Sequence, residues 1–133
     1  MLELPTDLPA DLVPLSWLLG VWEGSGVIDY ETADSHLTGE FAHQVSFSHD
    51  GGDYLNYSAN AWLIDDSGAR IRPLVAETGY WRVARPAAAE DAGPGLLPAS
   101  APARERTVDD VEALRNDEGG FDLAAFPAVG AWL

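Results

Sequence analysis

The chain of 133 residues is 47% hydrophobic and carries 22 acidic against 7 basic side chains, a size that suits one domain with one core. Its formal net charge of −15 repels phosphate backbones and anionic headgroups, which argues against nucleic acid and membrane surfaces as partners. Cysteine is absent and every basic residue is Arg, so thiolate chemistry, Cys-ligated zinc, iron–sulfur clusters, Schiff bases and a P-loop Lys are excluded. The first seven residues show no basic leader, and no apolar run reaches membrane-spanning length, so the expectation is a cytoplasmic protein.

Residues 8–19 space Leu8, Leu12, Leu15 and Leu19 at near-helical intervals, but Pro14 falls inside, which limits the segment to one or two short helical turns. From Gly20 the period changes to two. Phe41, His43, Val45 and Phe47 share one face of a half-buried strand, with Ala42, Gln44, Ser46 and Ser48 on the other. Asp50-Gly51-Gly52-Asp53 and Asp65-Asp66-Ser67-Gly68 read as turns around a strand from Tyr54 to Ile64, and residues 70–83 form the next strand. The result is a mainly β chain of antiparallel neighbours.

Residues 84–106 are rich in Ala, Pro and Gly and poor in large apolar side chains, which predicts a mobile loop. Thr107 is a candidate N-cap with Asp110 three residues on, and Gly119-Gly120 a stop, giving a helix of about three turns over 107–118. An alternation that begins at Phe121 and Leu123 is expected to dissolve at Pro127, within a tail that has no charged residue after Asp122.

The most specific string is Gly20-x-Trp22-x-Gly24-x-Gly26. In a strand of period two it sets a large aromatic and two positions without side chains on one face. Either the glycines relieve crowding where a barrel strand bends, or a ligand approaches the backbone there.

These residues, with Thr32, the Phe47-Ser48-His49 step before a Gly-Gly turn, and Glu77-Thr78-Gly79-Tyr80-Trp81-Arg82-Val83, resemble the nitrobindin family of fatty-acid-binding-protein-like haem barrels, in an actinobacterial form. The resemblance runs from about Leu8 to Leu123. It implies an antiparallel up-and-down, lipocalin-like β-barrel of about ten strands, here incomplete, with a short N-terminal helix and a second helix in a long insertion. Residues 1–133 then form one domain, with first strands over 8–83, a mobile insertion over 84–106, a helix over 107–118 and an aberrant last strand over 119–133. Haem b is the implied cofactor, and isomerisation of peroxynitrite the implied activity, alongside reactivity toward nitric oxide. Matched motif to motif, the cofactor-binding residues are Thr32, His49, Gly20, Trp22, Gly24 and Gly26, with His49 a pocket residue rather than an iron ligand. The family's iron-binding His belongs to a later strand and has no counterpart here, so loose haem binding without a His-type spectrum is expected. The uncharged tail reads as the product of a frameshift after Asp122.

His36 reads as a solvated loop residue, and His43 and His49 as hydrogen-bonded side chains on the apolar face. No two-His-plus-carboxylate grouping suggests another metal site. Glu77, in mid-strand, is expected to be a barrel-wall ion pair with Arg82 or Arg72 or a satisfied hydrogen-bond acceptor, rather than a general acid–base. A carrier of a small apolar ligand, its cavity lined by Trp22, Trp62, Trp81 and Phe47, is the competing reading from a different class, and a non-functional truncated product the third. An open sheet edge would also suit a homodimer.

Overall fold

The structure, a computed structural model, describes residues 8–131 except 94, 96 and 103. The leader-free start expected at residues 1–7 and the very end of the tail therefore lie outside the described residues, as does part of the insertion.

Ala10–Leu18 form a 3-10 helix rather than α-helical turns. Its three-residue period stacks Leu12 and Leu15, both buried, on one side, and Pro14 removes a donor that a longer α-helix would need. Five strands follow: β1 (Gly20–Glu31), β2 (His36–Ser48), β3 (Leu55–Ile64), β4 (Arg70–Val83) and β5 (Leu123–Ala131). They lie in sequence order in one antiparallel sheet, with β1 and β5 as open edges among the described residues. Short turns fix the register. In the β3–β4 turn the Asp65 carboxylate accepts from Ser67 N at 2.9 Å, Ser67 Oγ at 2.6 Å and Ala69 N at 3.0 Å, which lowers its pKa.

Register sorts the side chains between two faces. Trp22 pairs with Val45, Val45 with Ala59 and Ala59 with Glu77, so these positions share an inner face with Phe47, Tyr57, Trp81 and Val83. The 3-10 helix covers one end of that face, packing Leu12, Leu15 and Leu19 onto Phe47, Leu55, Tyr57 and Val83. Each such leucine contributes about 1.5–3 kcal/mol by burial. Phe47, Tyr57 and Trp81 form an aromatic cluster under it, with ring centroids 5.1–5.3 Å apart.

Three expectations need correction. The helix after the insertion, α1, covers only Val108–Glu112. Its capping box forms as read, with Thr107 Oγ1 accepting from Asp110 N and the Asp110 carboxylate accepting from Thr107 N. It stops early because Asn116 Oδ1 accepts from Glu118 N and Gly120 N, both at 3.0 Å, offering the backbone a turn in place of a helix. The last strand does not dissolve at Pro127: β5 runs unbroken along β4, Pro127 opposite Gly79, because an edge strand tolerates a residue without an N–H. Trp62 is not a cavity residue. It pairs with Ala42 on the outer face, where the Arg70 guanidinium sits 3.6 Å from its ring centroid.

The connection from β4 to α1 has little regular structure, but arginines fasten it to the sheet and the N-terminal helix. Arg85, its side chain 7% exposed, donates to both Asp91 oxygens at 2.7 Å and to Asp53 Oδ2 at 2.9 Å. Arg106 Nε donates to Asp11 Oδ2 at 2.7 Å, satisfying a carboxylate 4% exposed. Arg104 donates to Asp110 at 2.9 Å.

Candidate functional site

Beyond the part covered by the 3-10 helix, the inner face stays open. Trp22 stands at the boundary, its indole N–H donating to the Leu18 carbonyl at 2.7 Å and its ring edge-on to Trp17. It remains 47% exposed, which makes it a fixed aromatic platform. Gly20, at the start of β1, has φ +126°, a conformation that side chains resist, so it sets the bend by which the chain leaves the helix.

The next two glycines of the motif have different causes. A Cβ at Gly26 would come within 2.8 Å of the Phe41 ring, its cross-strand neighbour, so this glycine makes room for a side chain of the same sheet. A Cβ at Gly24 would meet nothing within 4 Å. Overpacking at Gly24 by a strand or side chain of the described residues is therefore ruled out, and what remains over it is open ground beside Trp22 and His43.

The residues matched by resemblance do not converge. Thr32 lies in the exposed β1–β2 turn, where its Oγ1 accepts from Ser35 N at 3.0 Å. His49 lies just past the other end of β2, outside the strand, and its Nδ1 accepts from Gly51 N at 3.2 Å. The thirteen residues of β2 between them amount to roughly 40 Å of strand at about 3.4 Å each. His36 pairs with Asp29 across the hairpin, on the outer side. His43 is the inner-face imidazole: exposed, cross-strand to Gly24 and Ala61, and without a hydrogen bond among the described residues.

Two more polar groups share this face. Glu77 makes no ion pair among the described residues, contrary to expectation, because Arg82 is an odd number of residues away and lies on the opposite face. Its neighbour Tyr57 has a raised pKa, first from burial and then from the Glu77 charge, so the phenol stays protonated and available as a donor. That coupling needed the β3–β4 register and was not legible in the sequence. A cleft of about 760 Å³ lies elsewhere, between the N-terminal helix and the insertion. Arg85, Arg104 and Arg106 line it, but each is neutralised by carboxylates there, which leaves structural ion pairs rather than a reactive group. No group of three or more metal-ligating side chains occurs among the described residues, and no helix among them is long and apolar enough to cross a membrane.

Comparison with known proteins agrees with this architecture. A peroxynitrite isomerase of Leifsonia xyli subsp. xyli is 55% identical over 123 residues, covering 92% of this chain and 61% of that protein. Peroxynitrite isomerases of Clavibacter michiganensis subsp. michiganensis and of an Arthrobacter species are 53% and 51% identical over the same length, covering 61% and 59% of those proteins. The chain thus spans about three-fifths of the length of these relatives. The family model of the THAP4-like, heme-binding beta-barrel domain matches residues 11–113, from the N-terminal helix through α1. With a five-stranded antiparallel meander, its Gly-x-Trp-x-Gly-x-Gly strand on the open inner face, this chain belongs to that nitrobindin family.

Proposed function

We propose that the inner face of this sheet is one wall of a haem site, and that the protein of which this wall is a part isomerises peroxynitrite to nitrate. The observation that supports it is the open ground over Gly24, flanked by the exposed Trp22 ring and closed at one end by the helix-covered aromatic cluster. A flat, largely apolar macrocycle suits that wall: Trp22, Phe41 and Val45 supply contact area, and Gly24 lets the ligand approach the backbone. Haem, when bound, supplies the ferric centre at which peroxynitrite rearranges. The chain's own residues exclude water along this wall, and Tyr57, kept protonated, offers a hydrogen bond beside Glu77. Thr32 and His49 belong to this reading only as rim residues, one at each end of β2.

The same proposal includes a cytoplasmic location and a homodimer. The exposed, uncharged edge strand β5 supports the dimer, having no partner on its outer side among the described residues. Sedimentation and cell fractionation check these two points.

Haemin titration tests the main proposal. Gly24→Val should not lower the melting temperature of the ligand-free protein while lowering haemin affinity at least tenfold, and Ser25→Val, on the outer face, should leave the haemin affinity unchanged. Equal affinity in Gly24→Val and the parent would remove Gly24 from the site. Broad, weak absorption from the parent chain would favour the apolar-carrier reading.

A further inference from the structure

We infer that the outer face of the sheet carries a binding site for a small aromatic carboxylate, formed by Tyr54, Tyr80, Phe126 and Arg82. It lies on the opposite side from the haem wall and does not rest on that reading. Register brings the four residues together. Tyr80 and Arg82, two apart on β4, share its outer face, and Phe126 of β5 lies directly across from Tyr80. Tyr54, just before β3, stands edge-on to Tyr80 with ring centroids 5.1 Å apart. With Asp53 these residues line a hollow of about 380 Å³, within the range of small-molecule sites. Tyr80 and Phe126 stay 52% and 56% exposed, and both also line a second hollow of about 470 Å³ toward Thr78 and Ala128, so the aromatic surface extends beyond a single ring.

Arg82 fixes the chemistry of the ligand. Three aromatic rings alone would suit a cation over their faces, but here the protein supplies the cation itself. The Arg82 guanidinium lies 5.5 Å from the Phe126 ring centroid, makes no ion pair or hydrogen bond among the described residues, and has a buried Nε–H without a partner. Asp53, which lines the same hollow, and Asp91, whose carboxyl feels the Arg82 charge, are both committed to Arg85. Asp91 accepts from Arg85 with both oxygens and Asp53 with Oδ2. Arg82 is thus a cation that no carboxylate of the described residues satisfies, and a carboxylate from outside meets its Nη groups in charge-assisted bonds. The ligand's ring then packs against Tyr80 and Phe126. The net charge of −15 does not forbid an anion here, because charges beyond about 8 Å are screened at physiological ionic strength, and Asp53 is neutralised by Arg85.

The experiment is a heteronuclear NMR titration of the full 133-residue chain at physiological ionic strength, with naphthoate, its neutral amide naphthamide, and acetate as probes, and with calorimetry for the affinities. Naphthoate should bind at least tenfold more tightly than either of the others. It should shift the Arg82 Nε–H signal and the backbone amides of Tyr54, Tyr80 and Phe126. Arg82→Gln should lower naphthoate affinity at least tenfold, whereas Arg72→Gln, which removes the same charge from the same strand, should leave it unchanged. The shifts in the parent decide the location even where Arg82→Gln loses stability. Equal binding of naphthamide overturns the carboxylate, and equal binding of acetate overturns the aromatic part. Absence of saturable naphthoate binding, shifts confined to the inner face around Gly24, or unchanged affinity in Arg82→Gln would each overturn the site itself.

Discussion

Alanine replacements at Gly79 and Gly24 should move stability in opposite directions, although both are mid-strand glycines on the inner face. Neither has a positive φ, so backbone strain does not enter. At Gly24 a Cβ meets nothing within 4 Å, and the substitution acts mainly on the unfolded chain, whose freedom it reduces by about 0.4–1 kcal/mol in favour of folding. At Gly79 the added Cβ would fall on the Phe126 carbonyl oxygen and lie 2.8 Å from the Pro127 Cα. These are backbone atoms of the neighbouring strand, so no rotamer change relieves the clash and β5 has to move off β4. Overpacking of this kind costs about 1–3 kcal/mol. For a domain of this size, at about 4 °C per kcal/mol, Gly79→Ala should lower the melting temperature by about 4–12 °C and Gly24→Ala raise it by about 2–4 °C. Differential scanning calorimetry reads both, and hydrogen exchange should show that the loss in Gly79→Ala is concentrated in Leu123–Ala131. Similar shifts for the two variants, in either direction, would refute the assignment of β5 as tightly apposed to Gly79 and of Gly24 as facing open ground.

Other expected outcomes follow from the ion pairs. Arg106→Gln leaves the buried Asp11 carboxylate without its countercharge and should cost about 3 kcal/mol in urea unfolding, whereas replacing both partners with apolar residues of similar size should cost far less. The carboxyls of Asp91, lowered chiefly by its hydrogen bonds from Arg85, and of Asp110, held at about 2 by the Thr107 N–H and Arg104, are both depressed. Their contribution to stability is therefore complete above the ordinary carboxylate range and falls away below about pH 4, that of Asp110 as pH approaches about 2 and that of Asp91 at still lower pH, which a urea-midpoint series should show and Asp110→Asn should partly flatten. We propose that the insertion moves between its anchors. Trypsin should cut first at Arg104, whose side chain is 52% exposed, with Arg106 slower at 20%. Arg85 should resist, being 7% exposed and followed by Pro86. A first cut at Arg70, inside β4, would count against a mobile insertion.

Strands β1 to β4 were legible because the turns after β2 and β3 carry Asp and Gly and the apolar residues alternate over long runs. The face of Trp22, Gly24 and Gly26 followed from period two alone. Parity also contained the separation of Glu77 from Arg82, an odd number of residues apart, although composition suggested an ion pair. The length of α1 was not legible, because the apolar stripe through Leu114 suggests a helix while a single side chain, Asn116, diverts the backbone into a turn. Nor was β5, since a proline that breaks a central strand is harmless on an edge, and edge or centre is a property of the whole sheet. At the candidate site the sequence supplied the motif but not the distinction between Gly24 and Gly26, which depends on where the Phe41 ring lies.

The order of the strands also bears on how the chain folds. β1 to β4 join neighbours through turns of a few residues, so their contacts are local and the entropy of closing each loop is small. β5 has to close the long connection over 84–122 before it can pair with β4, and it gains contacts on one side only. A four-stranded meander with its helical cover is therefore expected to form before β5 docks. The Arg106–Asp11 bond, which draws the far end of the insertion back to the N-terminal helix, divides that long closure into two shorter ones. Arg106→Gln should accordingly slow the last folding phase, the docking of β5, and leave the earlier phases at their original rates.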